Sequence, residues 1–255
     1  MIFALAPLAW LVVASTKSGT DLFSTSAFQF GGAALDNLGA VFTYQGGVFT
    51  AWLTNSLIYA GGGAFLSMII SAAAGYAFAV YRFPGKNVLF VAIVGAILIP
   101  GIVLAIPQYF LFAKLGWTDT YLSVLIPVLV SPFGIFLSRI YAEAAIPQEL
   151  IESARIDGAG ELRIFGSIAL RMMAPGLVTV FLLQFIGIWN NFLLPYLMLS
   201  SAERFPVTVG LYQILNRSTT EDPLWHLVVM GALITIVLVS LVVLVLQRYW
   251  RLDLI

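Results

Sequence analysis

The chain has 255 residues, 61% of them hydrophobic, with 12 Lys and Arg against 12 Asp and Glu, and a mean hydropathy of +1.00 that lies far above that of a water-soluble domain. Zero net charge without a basic run leaves no electrostatic footprint for nucleic acid. Zero cysteines and a single histidine, His226, exclude zinc, iron–sulfur and paired-histidine haem sites. No phosphate-binding P-loop is present either: the only Gly-Lys, Gly85-Lys86, continues into Asn87, so a nucleotide that powers this protein is bound by another chain.

The charges leave six charge-free intervals, 1–16, 37–81, 87–113, 120–138, 172–202 and 223–247. A hydrocarbon core about 30 Å thick takes roughly 20 apolar helical residues to cross. Five intervals are long enough and the first is marginal, so six membrane-spanning helices are expected. Alternate connections hold Arg82, Lys86, Arg139, Arg155, Arg163, Arg171, Arg248 and Arg251 on one side, and Lys17, Lys114, Arg204 and Arg217 on the other. The positive-inside bias puts the first set and the C-terminus in the cytoplasm, and six spans put the N-terminus there too. Met1 opens directly into the apolar run Ile2–Ala14, which reads as a trimmed or late-assigned start. A cleaved signal peptide over 1–20 competes, without the basic n-region or the small-x-small site it needs.

Residues 17–50 are rich in Gly, Ser, Thr and Phe and lead through Ala51-Trp52 and Asn55-Ser56-Leu57 into the second span. There Gly63, Ser67, Ser71, Gly75 and Ala79 recur every four residues, a small-residue ridge that lets helix backbones approach closely. Arg82-Phe83-Pro84-Gly85-Lys86 reads as a tight turn. Pro100-Gly101 and Pro107-Gln108 interrupt the third span. Such prolines are tolerated where protein or a water-filled cavity satisfies the freed carbonyl, which makes Gln108 a candidate pathway residue beside a purely structural kink.

The inner loop 139–171 is the most informative stretch. Ile146-Pro147-Gln148-Glu149 reads as a helix start, with Glu149 and Glu152 in the first turns where the helix dipole favours anions. Asp157-Gly158 ends that helix, since glycine takes a left-handed conformation without penalty. A second short helix is expected to place Leu162, Phe165 and Ala169 on one face. Two short helices joined at a glycine fit a docking knob for a cytoplasmic partner, and they equally fit an interfacial helix lying on lipid headgroups.

Glu152-Ser153-Ala154-x-x-Asp157-Gly158-Ala159, followed by Phe165, Ile168 and Pro175, resembles the E-A-A-x-x-D-G-A signature of permease subunits of bacterial ABC importers. Asn55-Ser56-Leu57, Tyr76-Ala77-Phe78-Ala79, Phe83-Pro84-Gly85-Lys86, Ile99-Pro100, Ile146-Pro147-x-Glu149-Leu150 and Trp189-Asn190 are similar to its carbohydrate branch, which includes maltose and glycerol-phosphate permeases. The resemblance runs from about residue 50 to 250. It implies that the loop docks into an ATPase subunit, with Glu152, Ser153, Ala154, Asp157, Gly158 and Ala159 as the signature and Leu162 and Phe165 as apolar contacts. Ser153 stands where alanine is usual and Arg171 where proline is common, and after Gln247-Arg248-Tyr249 the chain stops at Ile255 without the family's glycine-rich ending.

The fifth span carries Gln184, Trp189, Asn190 and Asn191, with Pro195 behind. Polar groups at membrane depth point away from lipid, so these residues are expected to line a solute pathway, where a ring stacks on a sugar face and amides meet hydroxyls. Hydrogen bonding between helices is the alternative. In the outer connection 201–222, Glu203, Arg204, Asn216, Arg217, Glu221 and Asp222 are implied by the resemblance to face a substrate-delivery protein, and otherwise form a solvated loop. His226 beside Trp225 reads as interfacial rather than as a proton relay.

The expected fold is all-α: a polytopic membrane protein with six transmembrane helices and a cytoplasmic coupling helix, like a type I ABC importer permease, in one permease domain over 1–255 with its family-like core at about 50–250. The resemblance implies a non-enzymatic permease subunit of an ATP-driven carbohydrate importer in the bacterial inner membrane, both termini cytoplasmic. Its partners would be membrane lipid, a second homologous permease, an ATPase pair that binds the ATP and Mg, and an extracytoplasmic solute-binding protein; the chain itself holds no cofactor. An ABC permease for a non-sugar solute is the nearest alternative. An ion-driven secondary transporter would need acids or several histidines within the spans, and an intramembrane hydrolase a nucleophile motif that Gly166-Ser167 does not supply.

Overall fold

With no water at membrane depth to satisfy backbone N–H and C=O groups, each segment must close its own hydrogen bonds. The computed structural model describes residues 2–219 and 223–247, and their regular elements are all helical. The tail from Arg248, with Arg251, and the outer-connection residues Glu221 and Asp222 lie outside the described residues. Helices α1 (Ile2–Ser15) and α2 (Ala34–Thr43) precede α3 (Val48–Val80), which contains a π turn at Ile58–Gly62. Next come α4 (Lys86–Ala96), α5 (Gly101–Lys114), α6 (Tyr121–Val128), α7 (Pro132–Ala145) and α8 (Gln148–Ile156). Helix α9 (Glu161–Trp189) has a π turn at Phe165–Ala169 and is followed by α10 (Leu193–Met198), α11 (Val207–Arg217) and α12 (Trp225–Gln247).

Among the described residues three helices, α3, α9 and α12, are long and apolar enough to cross a membrane, with mean hydropathies of 1.8, 1.8 and 3.1. Counting the bent pairs α4–α5 and α6–α7 as one span each makes five. The sixth expected span corresponds to α1, whose 14 residues reach about 21 Å, short of a hydrocarbon core of about 30 Å.

The expected interruption of the third span at Pro100-Gly101 is present, and other boundaries differ from those expected. The third span is bent by 98° between α4 and α5. Pro100 adopts φ −60°, ψ 127° at the N-cap of α5, four residues after α4 ends at Ala96, whereas Pro107 sits inside α5 without ending it. The fourth span breaks by 44° ahead of Pro132, where the Ser131 hydroxyl accepts from Gly134 N at 3.0 Å and proline occupies the first turn. Helix α7 then runs to Ala145, so Arg139 and Glu143, paired at 2.7 Å one turn apart, belong to a helix end and the loop itself begins at Ile146. The second short helix is the first turn of α9, continuous with the span, and Arg171 lies exposed on that unbroken helix.

The chain groups into two compact units. One comprises 1–57 and 199–242. Its core includes Val41, Phe49, Trp52, Val207, Val209 and Ile214. Asn55 Nδ2 donates to the carbonyls of Glu203 and Phe205 at 2.7 and 3.1 Å, Trp52 Nε1 donates to Ala202 O at 2.8 Å, and Ser56 Oγ accepts from Val207 N at 2.8 Å. The Asn-Ser-Leu approach to the second span is thus a clamp on the segment before α11. Lys17, 2% exposed, donates from Nζ to Ser26 O at 2.7 Å, and Asn37 Nδ2 donates to the carbonyls of Ser15 and Lys17. These bonds satisfy the C-terminal end of α1.

The other unit comprises 58–198 and 243–255, and in it α3 packs against α7 and α9. The small-residue ridge is the packing face. Ser67 and Ser71 are fully buried, and a Cβ at Gly75 would lie 2.6 Å from the backbone of Ser138 and Arg139. A Cβ at Gly63 would meet Val128 at 3.1 Å and Ile188 at 3.2 Å. The buried hydroxyls of Ser71 and Ser138 have no hydrogen-bond partner among the described residues, so they serve this contact as small side chains. Large apolar side chains such as Val88, Leu98, Ile102 and Phe110 stay exposed on α4, α5 and their connection, as expected of a surface in contact with lipid tails or a partner helix.

Candidate functional site

Helix α8 opens at Pro147, which sits in extended backbone at the N-cap, with Glu149 in the first turn. Ile151 and Ala154 turn inward and join Ile164, Ala169, Met173, Tyr76 and Ala142 in one buried cluster. At the far end Ala159 N donates to Ala154 O and Gly158 N to Arg155 O, both at 3.0 Å. Gly158 takes φ +81°, the left-handed turn expected of it. Of the predicted signature, Glu152, Ser153, Asp157 and Gly158 are exposed, Ala159 is half-buried and Ala154 is buried. Glu152 accepts from Gln148 Nε2 at 3.2 Å, and Ser153 Oγ donates to Leu150 O at 3.0 Å.

Leu162, Phe165 and Ala169 do not share a face. Leu162 is 89% exposed, Ala169 is fully buried, and Phe165 is half-buried with its ring 5.4 Å from that of Tyr76. The π turn at Phe165–Ala169 shifts Ala169 around the axis relative to an α-helical projection, while Leu162 lies in the exposed first turn of α9. Leu162 is instead matched by Ile156, 86% exposed on the other side of Gly158. Sequence reasoning passed over Ile156, which occupies a variable position of the signature; an apolar residue there next to a helix-ending glycine was the available signal.

The loop also carries a polar contact that the sequence did not announce. Arg155 donates to the Glu161 carboxylate from Nε at 2.7 Å and from Nη2 at 3.2 Å, and Tyr81 OH donates to the same carboxylate at 2.7 Å. Burial, then the hydrogen bond to Glu161, pushes the Tyr81 phenol above its ordinary pKa, so it remains a neutral donor.

A second feature lies between helices of the same unit. A cavity of about 520 Å³ is lined by α5, the end of α6 and the α9–α10 junction. It brings together Gln108, Asn190 and Asn191, with Ala105 and Gly187 leaving room. Among the described residues no charged side chain lines it; its apolar groups and three amides can accept an uncharged, hydroxyl-bearing solute. Asn190 Nδ2 donates to Ile186 O at 2.9 Å, and Asn191 Oδ1 accepts from Leu194 N at 3.4 Å. Gln184 and Trp189 are not on this wall. Gln184 Nε2 donates to Ser67 Oγ at 2.9 Å, and Trp189 is buried with its ring 5.7 Å from that of Phe185. His226 Nδ1 lies 3.1 Å from Pro223 O.

Over residues 67–251 the sequence matches the family described as binding-protein-dependent transport system inner membrane component. It is 35% identical over 250 residues to the arabinooligosaccharides transport system permease protein of Halalkalibacterium halodurans, covering 97% of this chain and 88% of that one. It is 27% identical to the lactose transport system permease protein of Rhizobium radiobacter (95% and 86% covered) and 31% identical to the sn-glycerol-3-phosphate transport system permease protein of Brucella abortus (78% and 70%). The fold is that of a chain of a bacterial ABC transporter involved in the import of the acidic polysaccharide alginate, with a TM-score of 0.84 at 24% identity over 98% of this chain and 92% of that one.

Proposed function

The chain belongs to the family of inner membrane components of binding-protein-dependent transport systems, and from that premise we propose that it forms half of the pathway of an ATP-driven carbohydrate importer. It is a transport subunit of an ABC importer, not an enzyme. The observation that carries the carbohydrate reading is similarity along nearly the whole chain to the arabinooligosaccharide permease. The uncharged, amide-bearing cavity agrees with it.

In this reading the loop from Ile146 to Gly160 docks into an ATPase subunit in the cytoplasm, with Ile156 and Leu162 as apolar contacts and Glu152, Ser153, Asp157 and Gly158 around them. Ala154, Ala159 and Phe165 support the loop from within. Gln108, Asn190 and Asn191 line the solute path, while Gln184 and Trp189 hold helices together. Within one permease domain, 1–255, the five spans together with the short apolar helix α1 as a sixth, partial crossing keep both termini in the cytoplasm. A second homologous permease completes the path, a pair of ATPases binds ATP and Mg, and an extracytoplasmic binding protein delivers the solute to the 201–222 side. ATP-driven closure of the ATPases moves the loops, and the spans open alternately to the two sides.

The test is uptake by the complete complex in proteoliposomes, with arabinotriose, lactose and glycerol 3-phosphate as solutes. ATP-dependent uptake of a neutral saccharide, lost when the ATPase is omitted, is expected. Uptake by this chain alone under an ion gradient would sink the importer reading, and uptake of the phosphate ester alone would sink the carbohydrate one.

A further inference from the structure

Three chain segments meet at the Glu161 carboxylate: Tyr81 just past the end of α3, Arg155 in the last turn of α8, and Glu161 itself at the start of α9. Arg155 also lies over the Tyr81 ring, 5.9 Å from its centroid. Both charged side chains are well exposed, at 40% and 48%. Exposed ion pairs add little to folding stability, and α8 is already held by Ile151 and Ala154 in the apolar cluster. The contact is nonetheless specific in geometry, because a forked guanidinium and a phenol donate to one carboxylate from different elements.

Its value lies in what it joins. Helix α3 touches α7 backbone to backbone at Gly75 and is bonded to α9 through Ser67 and Gln184, close in sequence to the Gly187–Asn191 wall of the cavity. Without the carboxylate contact, a push on α8 reaches α3 through the apolar packing at Tyr76, and reaches α9 along the chain and its π turn. With it, the same push is delivered directly to the end of α3.

We propose that Arg155, Glu161 and Tyr81 form a strut that transmits movement of the docking loop to α3, so that breaking it uncouples the ATPase from the cavity without releasing it. These are positioning residues, and the proposal rests on the docking reading of the loop. Both readings can be tested in one assay, because the chain has no cysteine. Gly187 lines the cavity, and a Cβ there meets nothing within 4 Å, so Gly187→Cys provides a reporter on the wall. In the purified complete complex, its labelling rate with a water-soluble maleimide is compared with and without ATP plus vanadate.

Glu161→Gln should lower the ATP-dependent change in rate about fivefold, with the ATPase still co-purifying in parental amount. Tyr81→Phe should lower it less. The swap Arg155→Glu with Glu161→Arg should restore it in part, since the ion pair re-forms while Tyr81 loses the carboxylate to which it donates, and a merely structural defect would show no recovery. An unchanged response in Glu161→Gln and Tyr81→Phe overturns the strut, and so does release of the ATPase, which would make the contact part of the docking surface. A swap as impaired as Glu161→Gln also overturns it. If the parental reporter shows no ATP-dependent change, the docking reading falls and takes the strut with it. If Ile156→Asp with Leu162→Asp keeps the ATPase bound while Glu161→Gln still uncouples, only the assignment of the docking surface falls.

Discussion

Gln184 donates to the hydroxyl of Ser67 across 117 positions of sequence, joining α9 to α3 at 2.9 Å. A hydrogen bond between helices in a membrane contributes about 0.6 to 2 kcal/mol. Gln184→Leu and Ser67→Ala should each destabilise the protein by about that amount, and the double variant should be no worse than the poorer single one. Unfolding in mixed detergent micelles measures all three. Full additivity would mean that the two side chains act separately.

Close approach of α3 and α7 should make Gly75 intolerant. Its Cβ would lie 2.6 Å from backbone atoms of Ser138 and Arg139, which cannot swing aside as a side-chain end can. Gly75→Ala should destabilise by about 1 to 3 kcal/mol through overpacking. Gly95→Ala, where a Cβ meets nothing within 4 Å, should be neutral or slightly stabilising. Thermal denaturation of the two purified variants separates these outcomes.

At the loop, Gly158→Val places a β-branched side chain at φ +81°, a strain of about 1 to 3 kcal/mol confined to an exposed turn. Membrane insertion should be unchanged and ATPase co-purification lost, whereas Gly158→Asn should retain part of it, since asparagine tolerates this conformation. Insertion is read by protease accessibility and docking by pull-down of the intact complex.

In the cavity, Gln108→Leu combined with Asn190→Leu should reduce solute uptake severalfold while the complex assembles normally. Asn191→Leu is less clean, because Asn191 also accepts from the Leu194 N–H at the start of α10, and loss of such a cap costs about 0.5 to 2 kcal/mol. Uptake rates normalised to assembled complex provide the measurement. Parental transport by the Gln108/Asn190 variant would remove the cavity from the pathway.

Much of this architecture was legible because charge scarcity marks spans and because glycine and proline mark turns. The Gly63-to-Ala79 ridge, the turn at Gly85 and the left-handed Gly158 all follow from residue type alone. What sequence could not supply depends on pairs far apart or on departures from α-helical geometry. The bond from Gln184 to Ser67 is one such pair. The Tyr81–Glu161 contact joins residues 80 positions apart. The expected Leu162–Phe165–Ala169 face does not form because a projection at 3.6 residues per turn does not carry across the π turn to Ala169, and Leu162 stands out in the exposed first turn of α9. The break ahead of Pro132 was readable in Ser131-Pro132 but was masked by the uninterrupted apolarity on either side.

The π turn at Phe165–Ala169 sets an angle as well as a register. It amounts to one surplus residue in an otherwise α-helical span, placed between the loop from Ile146 to Gly160 and the helix that reaches the cavity wall. Removing one residue from this turn would let the helix close as α and swing Glu161 and Leu162 around the axis by about 100° relative to Asn190. The direction in which the loop faces is therefore fixed by a single codon, and insertions or deletions in this short stretch should be far more disruptive than substitutions.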